Sequence, residues 1–237
     1  MLLRIILLAA ALPGAALASD RPADPPPAGA QGAAITDGTV ARFTLAPDGR
    51  INGLLLDNGT EVQVPPHLAD QLLQAVRPGD NVHVQGWRTP TPGVLDASSL
   101  TDARSGRAVV VASPAAALAP ATPARRDRTT PRPLGLPPPG AQETTRSGRV
   151  LQLLHDAGGM TDGALLGDGM ELRMPARAAA QVAPLLQPGT KVTAQGYALE
   201  TPYGAVMAVQ AIGASAETLT QVAPGPAAPA PGRPPGQ

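Results

Sequence analysis

The chain has 237 residues, a formal net charge of zero, 29 prolines, 26 glycines and no cysteine. That much proline and glycine exceeds what one compact core tolerates, so part of the chain is expected to be linker and tail. The lack of cysteine excludes disulfides, thiolate metal sites and cysteine nucleophiles, and the balanced charge gives no strong field for a polyanion or an anionic membrane surface.

The N-terminus has the order of a secretory signal peptide. Residues 1–18 read MLLRIILLAAALPGAALA, in which Arg4 precedes an apolar run and Ala-Leu-Ala closes it before Ser19. This order predicts cleavage after Ala18 and a periplasmic or secreted protein. The alternative is an uncleaved membrane anchor, but the run is shorter than the roughly 20 apolar residues that span a bilayer. Residues 19–37 follow as a predicted disordered segment, rich in proline and alanine.

An internal repeat with an offset of 110 positions covers most of the remaining chain. The matched segments are GTV at 38 with GRV at 148, NG at 52 with DG at 162, LL at 55 with LL at 165, NGTE at 58 with DGME at 168, and QGW at 85 with QGY at 195. Turns, apolar pairs and an aromatic residue thus agree in one register. We interpret the match as a duplicated domain, predicted at 38–112 and 146–220.

The first copy predicts strands at 39–45, 51–56, 60–64 and 81–87, with a fifth strand within 94–101. Residues 109–111 extend the sheet or lead into the linker. Asn58-Gly59 between apolar runs indicates a tight hairpin in which both residues need positive φ. Residues 67–76 predict a short helix, because Leu68, Leu72 and Val76 recur on one face. In the second copy Pro184 lies inside the matching segment and predicts a shorter or kinked helix.

Three strands, a helix and two further strands are the element order of an OB-fold, a five-stranded Greek-key barrel. The predicted fold class is therefore all-β, with two tandem OB-fold-like barrels and one short helix in each repeat. An SH3-like barrel is the alternative, and it lacks the helix between the third and fourth strands. A disordered Pro/Ala/Arg-rich linker is predicted at 113–145 and a disordered Pro-rich tail at 221–237. The arginines at 125–128 suit a solubilising spacer, or contact with an acidic partner, nucleic acid or a lipid head group.

A family resemblance follows from these segments. GTV, LLLDNGT, VPPHL, RPGD and the Val-x-Gly strand resemble exported bacterial OB-fold-like domains of unknown function. The resemblance spans residues 38 to about 100, and more weakly 148 to about 212. It implies a fold and a compartment, and it carries no catalytic residues, since its motifs are turn and core positions.

The residues that could support catalysis are few and scattered. His67, His83 and His155 share no metal-ligand spacing, so we expect no metal site and no cofactor, and we interpret all three as exposed polar residues. Asp48, Asp57 and Glu61 lie at or beside turns, where carboxylates bond locally. Without a clustered base, nucleophile and oxyanion donor, the sequence predicts a protein that is not an enzyme. His67 or His83 beside two carboxylates in one cleft would favour an enzyme.

Trp87 and the matching Tyr197 are the aromatic candidates for a binding site. OB-folds stack ligands on exposed aromatics, so Trp87 with Arg88, Arg50 and Arg42 is a candidate ligand platform. The alternative is that both aromatics plug a barrel edge. Residues 38–112 carry six arginines against seven acidic residues, so no basic groove is implied.

The sequence thus predicts a noncatalytic exported binding or adaptor protein. The expected ligand is a protein, peptide, glycan or small molecule. A single-stranded nucleic-acid-binding protein is the competing hypothesis, and it predicts affinity that falls steeply with salt.

Overall fold

A computed structural model describes residues 32–111 and 137–222. The predicted signal peptide, most of the predicted N-terminal segment and linker, and nearly all of the predicted tail lie outside the described residues. No helix within the described ranges has the length and apolar character needed to cross a membrane.

The first repeat forms a closed five-stranded barrel with a short additional strand. Its elements are β1 (Ala33–Leu45), β2 (Ile51–Leu56), β3 (Glu61–Gln63), a 3-10 turn (Pro66–Leu68), α1 (Ala69–Ala75), β4 (Asn81–Arg88), β5 (Val94–Asp102) and β6 (Ala108–Val110). The strand order is β3-β2-β1-β4-β5-β6, and β3 pairs with β5 in parallel to close the barrel.

The second repeat has the same topology. Its elements are β7 (Gln142–His155), β8 (Thr161–Leu166), β9 (Met170–Arg173), α2 (Ala176–Gln181), β10 (Lys191–Thr201), β11 (Gly204–Gly213), a 3-10 turn (Ala216–Thr218) and β12 (Thr220–Gln221). Strand β9 pairs with β11 in parallel, as β3 does with β5. A helix lies between the third and fourth strands of each barrel, so the OB-fold-like prediction is confirmed and the SH3-like alternative is wrong.

Both cores are built almost entirely from aliphatic side chains. The predicted stripe of Leu68, Leu72 and Val76 is buried against the first barrel, and Phe43 is the one aromatic in that core. Helix α2 ends at Gln181, before Pro184, because proline cannot supply the next N–H of a helix. The helix of the second copy is therefore the shorter one, as Pro184 predicts.

Three predicted boundaries need correction. Strand β1 begins at Ala33 and not near residue 38, because residues 33–39 pair with β4. Strand β7 likewise begins at Gln142, inside the predicted linker, because residues 142–149 pair with β10. At the other end β12 pairs with β11, which carries the second barrel to Gln221. Strand pairing, which composition does not report, orders all three segments.

The turn between β2 and β3 differs from the predicted hairpin. Gly59 has a φ of 83°, whereas no residue other than glycine has positive φ in the described ranges. The Gly59 N–H donates to the Leu56 carbonyl, and the Asn58 side chain accepts the Thr60 N–H at 2.9 Å. The prediction of positive φ at Asn58 is therefore wrong. The turn has a single left-handed residue, and the Asn58 side chain stabilises it by a local bond.

Candidate functional site

The two barrels pack through the outer faces of their second and third strands. Leu55 of β2, Leu165 of β8 and Leu154 of β7 form one buried cluster between the barrels. Leu55 and Leu165 are matched positions of the repeat, so the interface has a pseudo-two-fold axis. OB-folds commonly bind ligands on the face of strands two and three. In this protein each such face is covered by the other barrel.

Glu61 of β3 makes the first polar contact across this interface. Its side chain is 1% exposed. It accepts the His155 N–H at 3.1 Å and contacts His155 Nδ1 at 2.9 Å. Gln63 donates to Glu61 Oε1 at 2.8 Å and to the His155 carbonyl at 2.7 Å. Glu61 thus bonds to His155 across the interface as well as locally to Gln63, and the prediction of an exposed His155 is wrong, because the interface buries both residues.

Glu171 of β9 occupies the position that the repeat matches to Glu61. It accepts the Leu45 N–H at 2.9 Å, just as Glu61 accepts the N–H of His155, the residue matched to Leu45. It also contacts Arg42 at 3.2 Å and Arg173 at 3.3 Å. Burial raises the pKa of Glu171, and the positive charge of Arg173 opposes that rise. The two barrels thus exchange equivalent carboxylate-to-backbone contacts.

Arg173 makes the second site more highly charged than the first. Its side chain is fully buried and reaches Asp162 at 2.6 Å. Burial raises the pKa of Asp162 above its ordinary value, although the nearby Arg173 guanidinium opposes that rise. Arg173 Nε has no hydrogen-bond partner among the described residues. Because this arginine is fully buried and faces two carboxylates, loss of either acid would leave a buried charge short of partners.

Loops from each barrel extend the interface on both sides of the axis. Thr91 of the first barrel donates its hydroxyl to the Gly159 carbonyl of the second. Phe43 and Tyr203 pack edge to face, with ring centroids 5.8 Å apart. The loops that flank the usual OB ligand face are thus occupied by contacts between the barrels.

The structure does not assemble the five predicted platform residues. Arg42 is held by Glu171 at the interface, and Arg50 pairs with Asp48 at 2.8 Å on the surface. Trp87 and Tyr197 are half-buried on β4 and β10, in different barrels, and neither belongs to a barrel core. Arg42 lies at a cavity beside Phe43 and Tyr203, and Arg88, which follows Trp87 on β4, lies at a separate cavity.

The cavity at Arg88 is a cleft of about 300 Å³ in the first barrel. Its walls are the start of β1, the end of β4 and the β4–β5 loop. Its lining includes Ile35, Thr60, Arg88, Pro90, Pro92 and Val94. Ile35 is 72% exposed, although it is a large aliphatic residue. The cleft therefore combines an apolar side chain, a proline-rich loop and a cation.

The remaining histidines stay apart from carboxylate pairs. His83 is exposed and contacts the single carboxylate of Asp37, and His67 is exposed at the 3-10 turn before α1. Within residues 32–111 and 137–222, no three His, Asp or Glu side chains are grouped to hold a metal ion.

Sequence reasoning missed four of the site and interface residues: Ile35, Glu61, Glu171 and Arg173. Ile35 falls in a segment whose composition predicts disorder. The available signal for the interface was the glutamate at matched positions 61 and 171. Because side chains alternate along a strand, both Glu61 and Glu171 are expected on the outer face of their barrels.

No protein-family model matches this chain, and no curated protein matches it either.

Proposed function

We propose that the chain is a noncatalytic exported binding or adaptor protein, and that its ligand binds at the first-barrel cleft. The observation that carries the proposal is the exposure of this cleft, which has Ile35 and Arg88 at its walls. The face formed by the second and third strands is covered in both barrels. Export rests on the signal-peptide pattern of residues 1–18 and on the resemblance to exported OB-fold-like domains.

The composition of the cleft supports recognition by surface complementarity. An exposed aliphatic residue beside a loop with Pro90 and Pro92 offers rigid apolar contacts at little entropic cost. Arg88 adds a charged hydrogen-bond donor that can orient a ligand. No nucleophile–base pair lies along these walls. The ligand classes that fit are a peptide or protein segment, a glycan and a small molecule.

The nucleic-acid hypothesis gains less support from this geometry. Single-strand binders combine a basic groove with stacking aromatics. The cleft carries only Arg88 as a basic lining residue. Trp87 and Tyr197 lie in separate barrels, and the usual OB face is closed.

Ile35→Asp is expected to weaken ligand binding by about tenfold or more, because it places a charge on the apolar wall of the cleft. The matched control is Thr145→Asp, at the equivalent position of the second barrel, which is expected to change affinity by less than about twofold. The assay presents the full mature chain and both variants to a displayed random-peptide library, a glycan array, and single-stranded oligonucleotides at low salt. Both variants are expected to keep the wild-type melting temperature.

Equal loss of binding in the two variants would place the ligand elsewhere and refute the cleft as the site. Oligonucleotide binding that falls by about one log unit per log unit of salt for each phosphate contact would favour the competing function.

A further inference from the structure

We infer that the cleft takes an extended peptide, which adds as a strand to the free edge of β1 and sets an acidic side chain beside Arg88. This inference rests on the proposed function and specifies the ligand.

The first half of β1 is paired on one side only. Residues 33–39 pair with β4, whereas the pairing of β1 with β2 starts at Val40. Thr39 marks the direction of the free side: its N–H donates to the Asp57 side chain at 3.0 Å, and its carbonyl accepts the Asp57 N–H at 2.8 Å. Its backbone groups therefore point away from β4.

Backbone direction alternates along an antiparallel strand, so Asp37 and Ile35 present their N–H and C=O groups on the same free side as Thr39. Gly32 fits this alternation, because its carbonyl points the other way and accepts the Arg88 N–H of β4 at 3.1 Å. The Asn58 side chain donates to the Asp37 carbonyl at 3.3 Å. Among the described residues nothing bonds to the free-side groups of Ile35, so the edge can accept another strand.

Charge around the cleft selects an acidic peptide. Arg88 is exposed, and within residues 32–111 and 137–222 its guanidinium makes no ion pair or hydrogen bond. No acidic residue lines the cleft to compete for it. A carboxylate on the added strand would gain a charge-assisted bond to Arg88. Residues on the opposite face of that strand would lie beside Ile35, so a strand alternating apolar and acidic side chains matches both features.

The second barrel lacks this combination. Thr145 replaces Ile35, and Ala198 replaces Arg88. Strands β10 and β11 remain paired as far as Thr201 and Gly204, so their connection is a tight hairpin in place of the open loop at 89–93. The inferred site is therefore confined to the first barrel.

The experiment uses the full mature chain and a short fluorescent peptide that alternates valine with glutamate. Fluorescence anisotropy is expected to show binding that weakens about tenfold when lysine replaces glutamate, because the bond to Arg88 is lost. Arg88→Ala is expected to remove this preference for glutamate over lysine.

Two further peptides carry N-methyl groups on alternate amides. Only the peptide whose N-methylated amides face β1 is expected to lose binding, because β-strand addition uses one side of the peptide backbone. Amide exchange at Ile35 is expected to slow when the unmodified peptide binds.

Equal binding of the two methylated peptides, or unchanged exchange at Ile35, would overturn strand addition. If the peptide does not bind while a glycan or small molecule binds and is lost in Ile35→Asp, this inference fails and the proposed function stands. Ile35 already protected in the free chain would also refute it. Removing residues 19–31 then shows whether the chain covers its own edge, and dilution shows whether a second copy does.

Discussion

Replacing Glu171 with alanine is expected to lower the free energy of unfolding by about 3–5 kcal/mol, the usual cost of removing one partner from a buried ion pair. The substitution strips Arg173 of one of its two acids and leaves the buried Leu45 N–H without an acceptor. It also removes the partner of Arg42. Urea unfolding of the full mature chain measures the loss.

Asp48→Ala provides the control for this experiment. Asp48 also pairs with an arginine, but the pair with Arg50 is solvent-exposed, and its removal is expected to cost less than about 1 kcal/mol. A Glu171→Ala variant no less stable than Asp48→Ala would show that the carboxylate is not buried between the barrels.

Gly86→Ala and Gly196→Ala are each expected to destabilise the protein by about 3 kcal/mol or more, because overpacking against backbone cannot be relieved by a rotamer change. A Cβ at Gly86 would overlap the Asp96 carbonyl oxygen, and one at Gly196 would overlap the Ala208 carbonyl oxygen. Both glycines lie where the fourth strand of a barrel shifts register against the fifth. The Gln-Gly pair at matched positions of the two repeats thus has a steric cause.

Gly167→Ala is the matched control for the two strand glycines. A Cβ there would make an ordinary contact with the Arg149 carbonyl oxygen at 3.7 Å, and its φ is not in the left-handed region. The melting temperature of the Gly167→Ala variant is expected to stay close to the wild-type value. Similar thermal shifts in all three variants would contradict the close approach at Gly86 and Gly196.

The elements of each barrel were largely predictable because local patterns determine them. Strand β2 has the predicted limits, since its apolar residues are flanked by turn residues at both ends. The apolar spacing of Leu68, Leu72 and Val76 likewise predicts a helix with one buried face. The duplication strengthens these predictions, because two copies of one pattern must have one explanation.

The interface was not predictable by the same reasoning, because it depends on the packing of one repeat against the other. Glu61 alternates with apolar residues as a solvent-facing side chain does, and nothing local indicates that a second barrel covers it. His155 was missed for the same reason. The start of β1 escaped because Ala33 and Ile35 are ordered by pairing with β4, at a distance of about fifty residues along the chain.

The duplication explains why the usual OB ligand face is covered in this protein. Two copies with the same outer face can pack around a two-fold axis, as isologous dimers do. Glu61 and Glu171 exchange equivalent contacts across this axis, and the two halves differ at matched positions such as Gln63 and Arg173. The face that other OB-folds use for ligands is buried between the barrels of this protein.

Methyl–methyl NOE spectroscopy on the full mature chain, labelled at leucine and valine methyls, tests the central claim most directly. Leu55 and Leu165 are 110 residues apart in the chain, so an NOE between them or to Leu154 reports contact between the barrels. We expect these cross-peaks together with those inside each barrel. A spectrum with the contacts of Leu54 to Val62 inside the first barrel, but none between Leu55 and Leu154 or Leu165, would show that the β2–β3 face is open.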